Sequence, residues 1–416
     1  MFSVSDAVAR IVSGIEPLAV ERVALLDALG RVLATPVVSP LTLPAWDNSA
    51  MDGYALRASD VEGASDTAPV TLAVLETVPA GAFPTRAVEA GSCTRIMTGA
   101  PLPEGVNTVI RLEDTDGGTE RVSIHSARDA RRNVRHRGED ITTGTMVLDH
   151  GQHIGAAQIG VLASVGASSV DVYRQPRVAF FGSGDEIVDL DRFSEALEGR
   201  KIVTSNSYTL NALVRLNGGI PINLGVARDD PADIRARIDR AAGCDLLVTS
   251  AGISAGEFDY LRPVLAEKGV TLDVWRVRMR PGAPLGFGWL GTMPWIGLPG
   301  NPVSTMVTFE LFVRPVLRRM LGHTRLFRRP VQVQLEEPVK IGASLTHFLR
   351  AIVTVKPDGS MSARLTGPQG SGILTSMSLA NALLVIPHER PRVEAGEMVN
   401  ALLLSDDAQL ATHFSL

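Results

Sequence analysis

Apolar positions change period several times along the chain, and the changes divide it. Residues about 5–30 repeat apolar side chains at helical spacing. Ser5 is a candidate N-cap before Ala7-Val8-Ala9-Arg10-Ile11-Val12 and Gly30 a candidate stop, so the spacing predicts a helix there. Residues about 46–140 carry short β-type runs, such as 70–74 and 108–112, between Gly, Pro and Asp turns, which predicts a small β domain. A helix returns over 155–163. Residues about 176–328 then alternate strands (178–181, 220–226, 246–248) with helices (208–216, 231–242 capped by Asp230, and one starting near Tyr260). That alternation predicts a βαβ series on a mostly parallel sheet, whose right-handed crossovers gather loops at one sheet edge. From Pro330 onward the texture is β again, with strands at 331–333 and 383–386.

Composition sets limits. The 416 residues suit two to four domains, and 45% hydrophobic content supplies ordinary globular cores. A net charge of −5 disfavours nucleic-acid or membrane-surface binding. Cys93 and Cys244 stand far apart, which excludes a thiolate zinc site and favours a reducing compartment. The first residues lack the pattern of a signal peptide, and no uncharged apolar run reaches membrane-spanning length, so a cytoplasmic protein is expected.

Candidate chemistry concentrates in loops. Ser250-Ala251-Gly252-Ile253-Ser254-Ala255-Gly256-Glu257-Phe258-Asp259-Tyr260 lies between a strand and a helix, and Gly297-Leu298-Pro299-Gly300-Asn301-Pro302-Val303-Ser304 is a second loop of that kind. Glycine, serine and carboxylates there suit an anion or nucleotide site, with N–H groups for phosphate and carboxylates for a cation. Trp46-Asp47-Asn48-Ser49-Ala50-Met51-Asp52-Gly53 reads as a polar turn or as a ligand-facing loop. The Thr98-Gly99 loop reads as a connector or a phosphate contact. The arginines between 128 and 137 read as a solvated face or as an anion-collecting rim ahead of Asp140. In Gly182-Ser183-Gly184-Asp185-Glu186 the full dinucleotide spacing is absent, but Asp185 and Glu186 make a metal or substrate contact credible. Thr204-Ser205-Asn206-Ser207 can cap the helix that follows, but its side chains are expected at the same sheet edge as the other loops, and in Asp229-Asp230 the capping role accounts for Asp230 better than for Asp229. Arg276, Arg278 and Arg280 alternate, so they share one face and suit an oxyanion. The histidines show no metal spacing; His150 and His153 read as surface residues.

With these residues assembled, the chain resembles the molybdopterin molybdenumtransferases, the molybdenum insertases related to the gephyrin E domain. The resemblance covers nearly the whole chain. It rests on Gly30-Arg31-Val32-Leu33, residues 47–55, 97–104, 137–140 and 183–186, Ser205-Asn206, and residues 250–260, 280–284 and 297–304, in the family's order. It implies four domains: a discontinuous one over 1–45 and 141–175, a β domain over 46–140, a molybdopterin-binding α/β domain over 176–328, and a C-terminal β barrel over 329–416. It implies an elongated homodimer whose active site lies between the α/β domain of one subunit and the β domain of the other. The implied reaction inserts molybdate into adenylylated molybdopterin and releases AMP, with Mg2+ or another divalent cation. Molybdopterin adenylyltransferase and molybdoenzymes are the candidate protein partners.

Carried over by position, Asp52, Thr98, Asp140, Glu186, Asp229 and Asp259 match the family's functional polar residues. Asp140 and Glu186 are the expected cation ligands, since a cation reconciles carboxylates with a phosphate ligand. The expected ligand-binding set is Ser250, Gly252, Ser254, Gly256, Glu257, Arg280, Pro299, Gly300, Asn301, Pro302 and Ser304, with Arg350 and Ser371 at the molybdate-side positions. The family usually reads Ser-Gly-Gly where this chain has Ser250-Ala251-Gly252, and Lys-Pro-Gly-Lys-Pro where it has Arg280-Pro281-Gly282-Ala283-Pro284. If position 251 needs a positive φ, alanine there costs roughly 1 kcal/mol or more. The rival readings are a divergent enzyme binding another pterin nucleotide and a non-enzymatic, gephyrin-like scaffold.

Overall fold

The computed structural model describes residues 1–251, 260–342, 344–405 and 409–410. The chain forms two compact units: Met1–Ala34 with Gly151–Gly155 and Ser169–Leu416, and Thr35–His150 with Ala156–Ser168.

The larger unit is built on a six-stranded sheet. Its order is Ile220–Ala227, Arg177–Ser183, Leu246–Ser250, Met293–Leu298, Gly286–Leu290 and Thr271–Trp275. The first four strands are parallel and the last two antiparallel. Every residue of Leu246–Ser250 is buried, as expected of a central strand covered on both faces. Alternation sorts the side chains. Val178, Phe180, Leu246 and Val248 enter one apolar core, whereas Ala179, Phe181 and Leu247 enter the other. Helices Ser205–Leu216 and Pro231–Arg240 connect the strands. Each has its N-cap, with Thr204 accepting from the Ser207 N–H and Asp230 from the Asp233 N–H. Helix Pro302–Thr308 runs through a π turn, Phe309–Val313, into Arg314–Met320. Pro315 lacks an N–H and crowds the preceding turn, and a widened turn absorbs that clash.

The strands after residue 330 close a barrel. Thr346–Val355 pairs with Met361–Leu365, then Val331–Leu335, Met398–Leu403 and Ala382–Ile386 follow in order, and the last pairs back with Thr346–Val355. Leu349, Ala351 and Val353 face its interior. Phe348, on the opposite face of that strand, joins the core beside the parallel sheet. Met279–Arg280 adds in parallel alongside Thr346 and His347.

The helix expected over residues 5–30 is shorter, and the reason is local. It spans Val4–Ser13, its N-cap is Ser3 rather than Ser5, and it ends at Gly14. Pro17 cannot continue it, and Val20–Ala24 instead forms a strand paired with Ser169–Tyr173. Gly30 follows a short 3-10 turn, Leu25–Ala28, at φ +78°.

The smaller unit carries a five-stranded sheet in the order Thr108–Arg111, Gly53–Leu56, Ser92–Ile96, Val70–Val78 and Arg121–Ile124. Gly53 is required by close approach: a Cβ there would lie 2.0 Å from the Ile110 carbonyl oxygen. Among the described residues, no helix is long and apolar enough to cross a membrane.

Candidate functional site

Three parallel strands deliver one cavity. Arg177–Ser183, Leu246–Ser250 and Met293–Leu298 end at the same sheet edge. From Arg177–Ser183 the chain crosses to a neighbour on one side, and Leu246–Ser250 then lies on the other side. Crevices open where a parallel sheet reverses direction in this way. The cavity here holds about 670 Å³. It is lined by Gly182, Ser183 and Glu186 after the first strand, Ser250 and Ala251 after the second, and Pro299, Gly300, Asn301 and Pro302 after the third. Thr204, Ser205 and Asn206 add the first turn of helix Ser205–Leu216, whose N–H groups favour an anion. Ile187, Ile202 and Val203 add apolar wall, and Pro284, Gly372 and Leu374 complete it.

Asn206 ties the loops together. Its Nδ2 donates to Ser250 Oγ at 2.7 Å and to the Gly300 carbonyl at 2.8 Å. Its Oδ1 is buried and has no hydrogen-bond partner among the described residues. An unpaired buried acceptor costs about 1–3 kcal/mol, so it marks a place where structure yields to function. Ala251, beside it, holds φ +79°, and its N–H donates to the Leu298 carbonyl at 3.0 Å.

The carboxylates of the first loop are positioned by backbone. Gly184 has φ +144°, and a Cβ there would lie 2.6 Å from Glu186 Oε2, so the Glu186 carboxylate folds over a position only glycine can fill. Asp185 and Asp229 hold one another. The Asp185 N–H donates to Asp229 Oδ2 at 3.2 Å, and the Asp229 N–H donates to Asp185 Oδ1 at 3.3 Å. Capping thus explains Asp230, and loop fixation explains Asp229.

Ser371 joins the barrel to the cavity. Asn301 Nδ2 donates to Ser371 Oγ at 3.0 Å, and the Val303 N–H donates to the Ser371 carbonyl at 3.1 Å. One residue before it, the Gly370 carbonyl accepts from Arg350 Nη2 at 2.9 Å. Arg350 is 0% exposed. Its Nε donates to Ser376 Oγ at 3.0 Å, Nη2 also reaches the Pro368 carbonyl at 3.4 Å, and Nη1 is buried without a partner among the described residues. None of these acceptors is an anion, and burial pushes the guanidinium pKa down. Arg280 is exposed at the barrel's edge, and Arg276 and Arg278 are exposed with it, while Val277 and Met279 between them are buried. Ser304 is buried inside helix Pro302–Thr308.

In the smaller unit, Asp52 and Thr98 form a fixed pair. Asp52 Oδ1 accepts from the Thr98 N–H at 2.7 Å and from Thr98 Oγ1 at 2.8 Å. The backbone bond first, and the hydroxyl second, hold the Asp52 pKa below the usual aspartate range. Asp140 is exposed, with its N–H donating to the Leu43 carbonyl at 3.3 Å.

Of the expected residues, Glu186, Ser250, Pro299, Gly300, Asn301 and Pro302 line the one cavity, and Ser371 bonds to it. Gly252, Ser254, Gly256, Glu257 and Asp259 lie outside the described residues. Asn206 stood in the run expected to cap the helix at the sheet edge, whereas Gln369 and Ser376 were assigned no role.

The family model for the MoeA N-terminal region (domain I and II) matches residues 2–166, that for a probable molybdopterin binding domain matches 179–319, and that for the MoeA C-terminal region (domain IV) matches 332–404. A molybdopterin molybdenumtransferase of Nostoc sp. is 38% identical over 392 residues, covering 92% of this chain and 88% of the relative. Molybdopterin molybdenumtransferase 2 of Mycobacterium tuberculosis is 37% identical over 380 residues, covering 90% and 92%. The crystal structure of the molybdopterin biosynthesis moeA protein from Pyrococcus horikoshii OT3 matches with a TM-score of 0.83 at 28% identity, covering 97% of this chain and 100% of that one. The chain belongs to the molybdopterin molybdenumtransferase family and is a transferase of molybdenum cofactor biosynthesis.

Proposed function

We propose that this chain inserts molybdenum into adenylylated molybdopterin, taking molybdate as the metal source and releasing AMP. The reading is carried by Arg350, a buried cation without an anionic partner, bonded to the loop that Ser371 ties to the cavity. A buried guanidinium held only by neutral acceptors is poised for a tetrahedral oxyanion. The N-terminal turn of helix Ser205–Leu216 and the loops at Ser250 and Gly300 suit the substrate's phosphates, and the apolar wall at Ile187, Ile202 and Val203 suits a planar ring. Arg280 adds positive charge that draws molybdate in.

Among the described residues, no three His, Cys, Asp or Glu side chains gather as a metal site. Mg2+ takes one or two carboxylates and completes its shell with phosphate oxygens and water. Asp140 and Glu186 would hold it, and it would supply charge neutralisation at the phosphate undergoing cleavage. We place the protein in the cytoplasm as a homodimer, in which Asp52 and Thr98 of the partner subunit serve each cavity. Molybdopterin adenylyltransferase upstream and molybdoenzymes downstream are its partners. The division at residues 1–45 with 141–175, 46–140, 176–328 and 329–416 belongs to the same reading.

Subunit mixing tests it. Asp52→Ala and Glu186→Ala should each lose molybdate-dependent AMP release. Mixed and allowed to exchange, they should recover about a quarter of wild-type activity, because a random half of dimers are mixed and each of those has one intact site. No recovery after demonstrated exchange contradicts a shared site.

A further inference from the structure

We propose that Ser376 and Gln369 are positioning residues that hold Arg350 in the orientation it needs to meet molybdate. The proposal rests on the reading of Arg350 as the anion donor. Neither residue is itself asked to touch the substrate.

Arg350 sits on the outer face of the barrel strand Thr346–Val355, the face it shares with Phe348. The segment from Pro368 to helix Leu374–Leu379 supplies every side-chain bond it makes. A long, flexible cation in such a site has several rotamers available unless its donors are individually fixed. Two devices fix it.

Gln369 fixes the backbone. Its side-chain amide pairs with the Arg350 main chain in both directions: Oε1 accepts from the Arg350 N–H at 2.9 Å, and Nε2 donates to the Arg350 carbonyl at 3.1 Å. This imitates a neighbouring strand and pins the loop carrying Gly370 and Ser371 against the strand carrying Arg350. Nε2 also donates to the Gly367 carbonyl at 3.0 Å.

Ser376 fixes the head group. Its hydroxyl is buried, accepts from Arg350 Nε at 3.0 Å and donates to the Ile373 carbonyl at 2.6 Å. The Ile373 carbonyl takes the hydroxyl proton, so the oxygen lone pairs face Nε. With Nε held by Ser376 and Nη2 by Gly370, the plane of the guanidinium is set, and the donors of Nη1 are the ones left for a ligand. Alanine at 376 would free Nε, and the whole plane could turn.

The test compares molybdate titrations of AMP release in wild type, Ser376→Ala, Ser376→Thr and Arg350→Met, each checked for wild-type thermal unfolding. The cost of ordering the freed guanidinium at binding predicts a molybdate KM raised about two- to ten-fold in Ser376→Ala. Its KM for adenylylated molybdopterin should be unchanged and its kcat within about two-fold of wild type, and Ser376→Thr, which keeps the hydroxyl, should restore the molybdate KM. Gln369→Ala should shift the same parameter. A merely structural role would lower the active fraction and hence kcat without moving the molybdate KM, and that result overturns the proposal. If Arg350→Met leaves the molybdate KM at the wild-type value, the anion-donor reading itself falls. If Arg350→Met raises it and Ser376→Ala does not, the positioning role alone is wrong.

Discussion

Ala251 shows how one residue can mark a functional loop. Its φ of +79° lies in the left-handed region, where a Cβ crowds its own backbone, and it sits in the cavity wall against Gly300. Position 251 does hold the conformation in which alanine costs about 1 kcal/mol relative to glycine. Ala251→Gly should therefore unfold at the same urea concentration as wild type or a higher one. Ala251→Val, with a branched Cβ in the same backbone, should lose about 1–2 kcal/mol. A valine variant as stable as wild type would show that the backbone at 251 is not held at positive φ. Some of this residue-level detail was legible beforehand. The alternation of Arg276, Arg278 and Arg280 matches their exposure, but the single extended strand it implied is broken: Arg276 has φ +64° and lies between the strands Thr271–Trp275 and Met279–Arg280. The burial of Arg350 was not legible. It depends on the segment from Pro368 to Leu379 folding over the strand, a long-range contact that no local period encodes.

At the scale of elements, strong periods were readable and interruptions were not. The strands ending at Ser183 and Ser250 bury nearly every side chain, so runs of apolar residues between glycine-rich loops announced them, whereas Gly297 and Leu298, read as loop, end the strand Met293–Leu298. The helix expected to reach Gly30 failed at Gly14 and Pro17, since Val20–Ala24 gains more by pairing with Ser169–Tyr173 than by extending a helix through a proline. The end of the helix Arg314–Met320 yields a pH prediction. His323 lies just beyond it and stacks on His153 at 6.1 Å between ring centres. Burial first, then Arg318, His153 and Arg314, push its pKa down to about 4. The unfolded chain binds a proton near pH 6.5 that the folded protein refuses until about pH 4, so stability falls as pH drops through that window and levels off below it. After discount for partial exposure the loss is about 2 kcal/mol. Urea unfolding at pH 7, 6, 5 and 4.5 should show that decline in wild type and a shallower one in His323→Gln. Equal slopes would contradict a neutral, buried His323.

Across the whole molecule, the family could be read from loop motifs, because each motif is short, local and fixed to the end of a strand. How the loops cooperate could not, because Asn206, Ser250 and Gly300 meet only after the crossovers are made, and Asn301 meets Ser371 only once the barrel has closed. If the cavity at the strand ends holds and cleaves adenylylated molybdopterin, Glu186 at its edge acts on the cleaved phosphate. Glu186→Gln keeps the side chain's size beside Gly184 and removes its charge. The most direct measurement is single-turnover AMP release from adenylylated molybdopterin, with and without molybdate, in wild type and in Glu186→Gln. The expected result is molybdate-dependent release in wild type, slowed about a hundred-fold or more in Glu186→Gln, with substrate binding retained. Release at the wild-type rate by Glu186→Gln, or release by wild type that ignores molybdate, would contradict the claim.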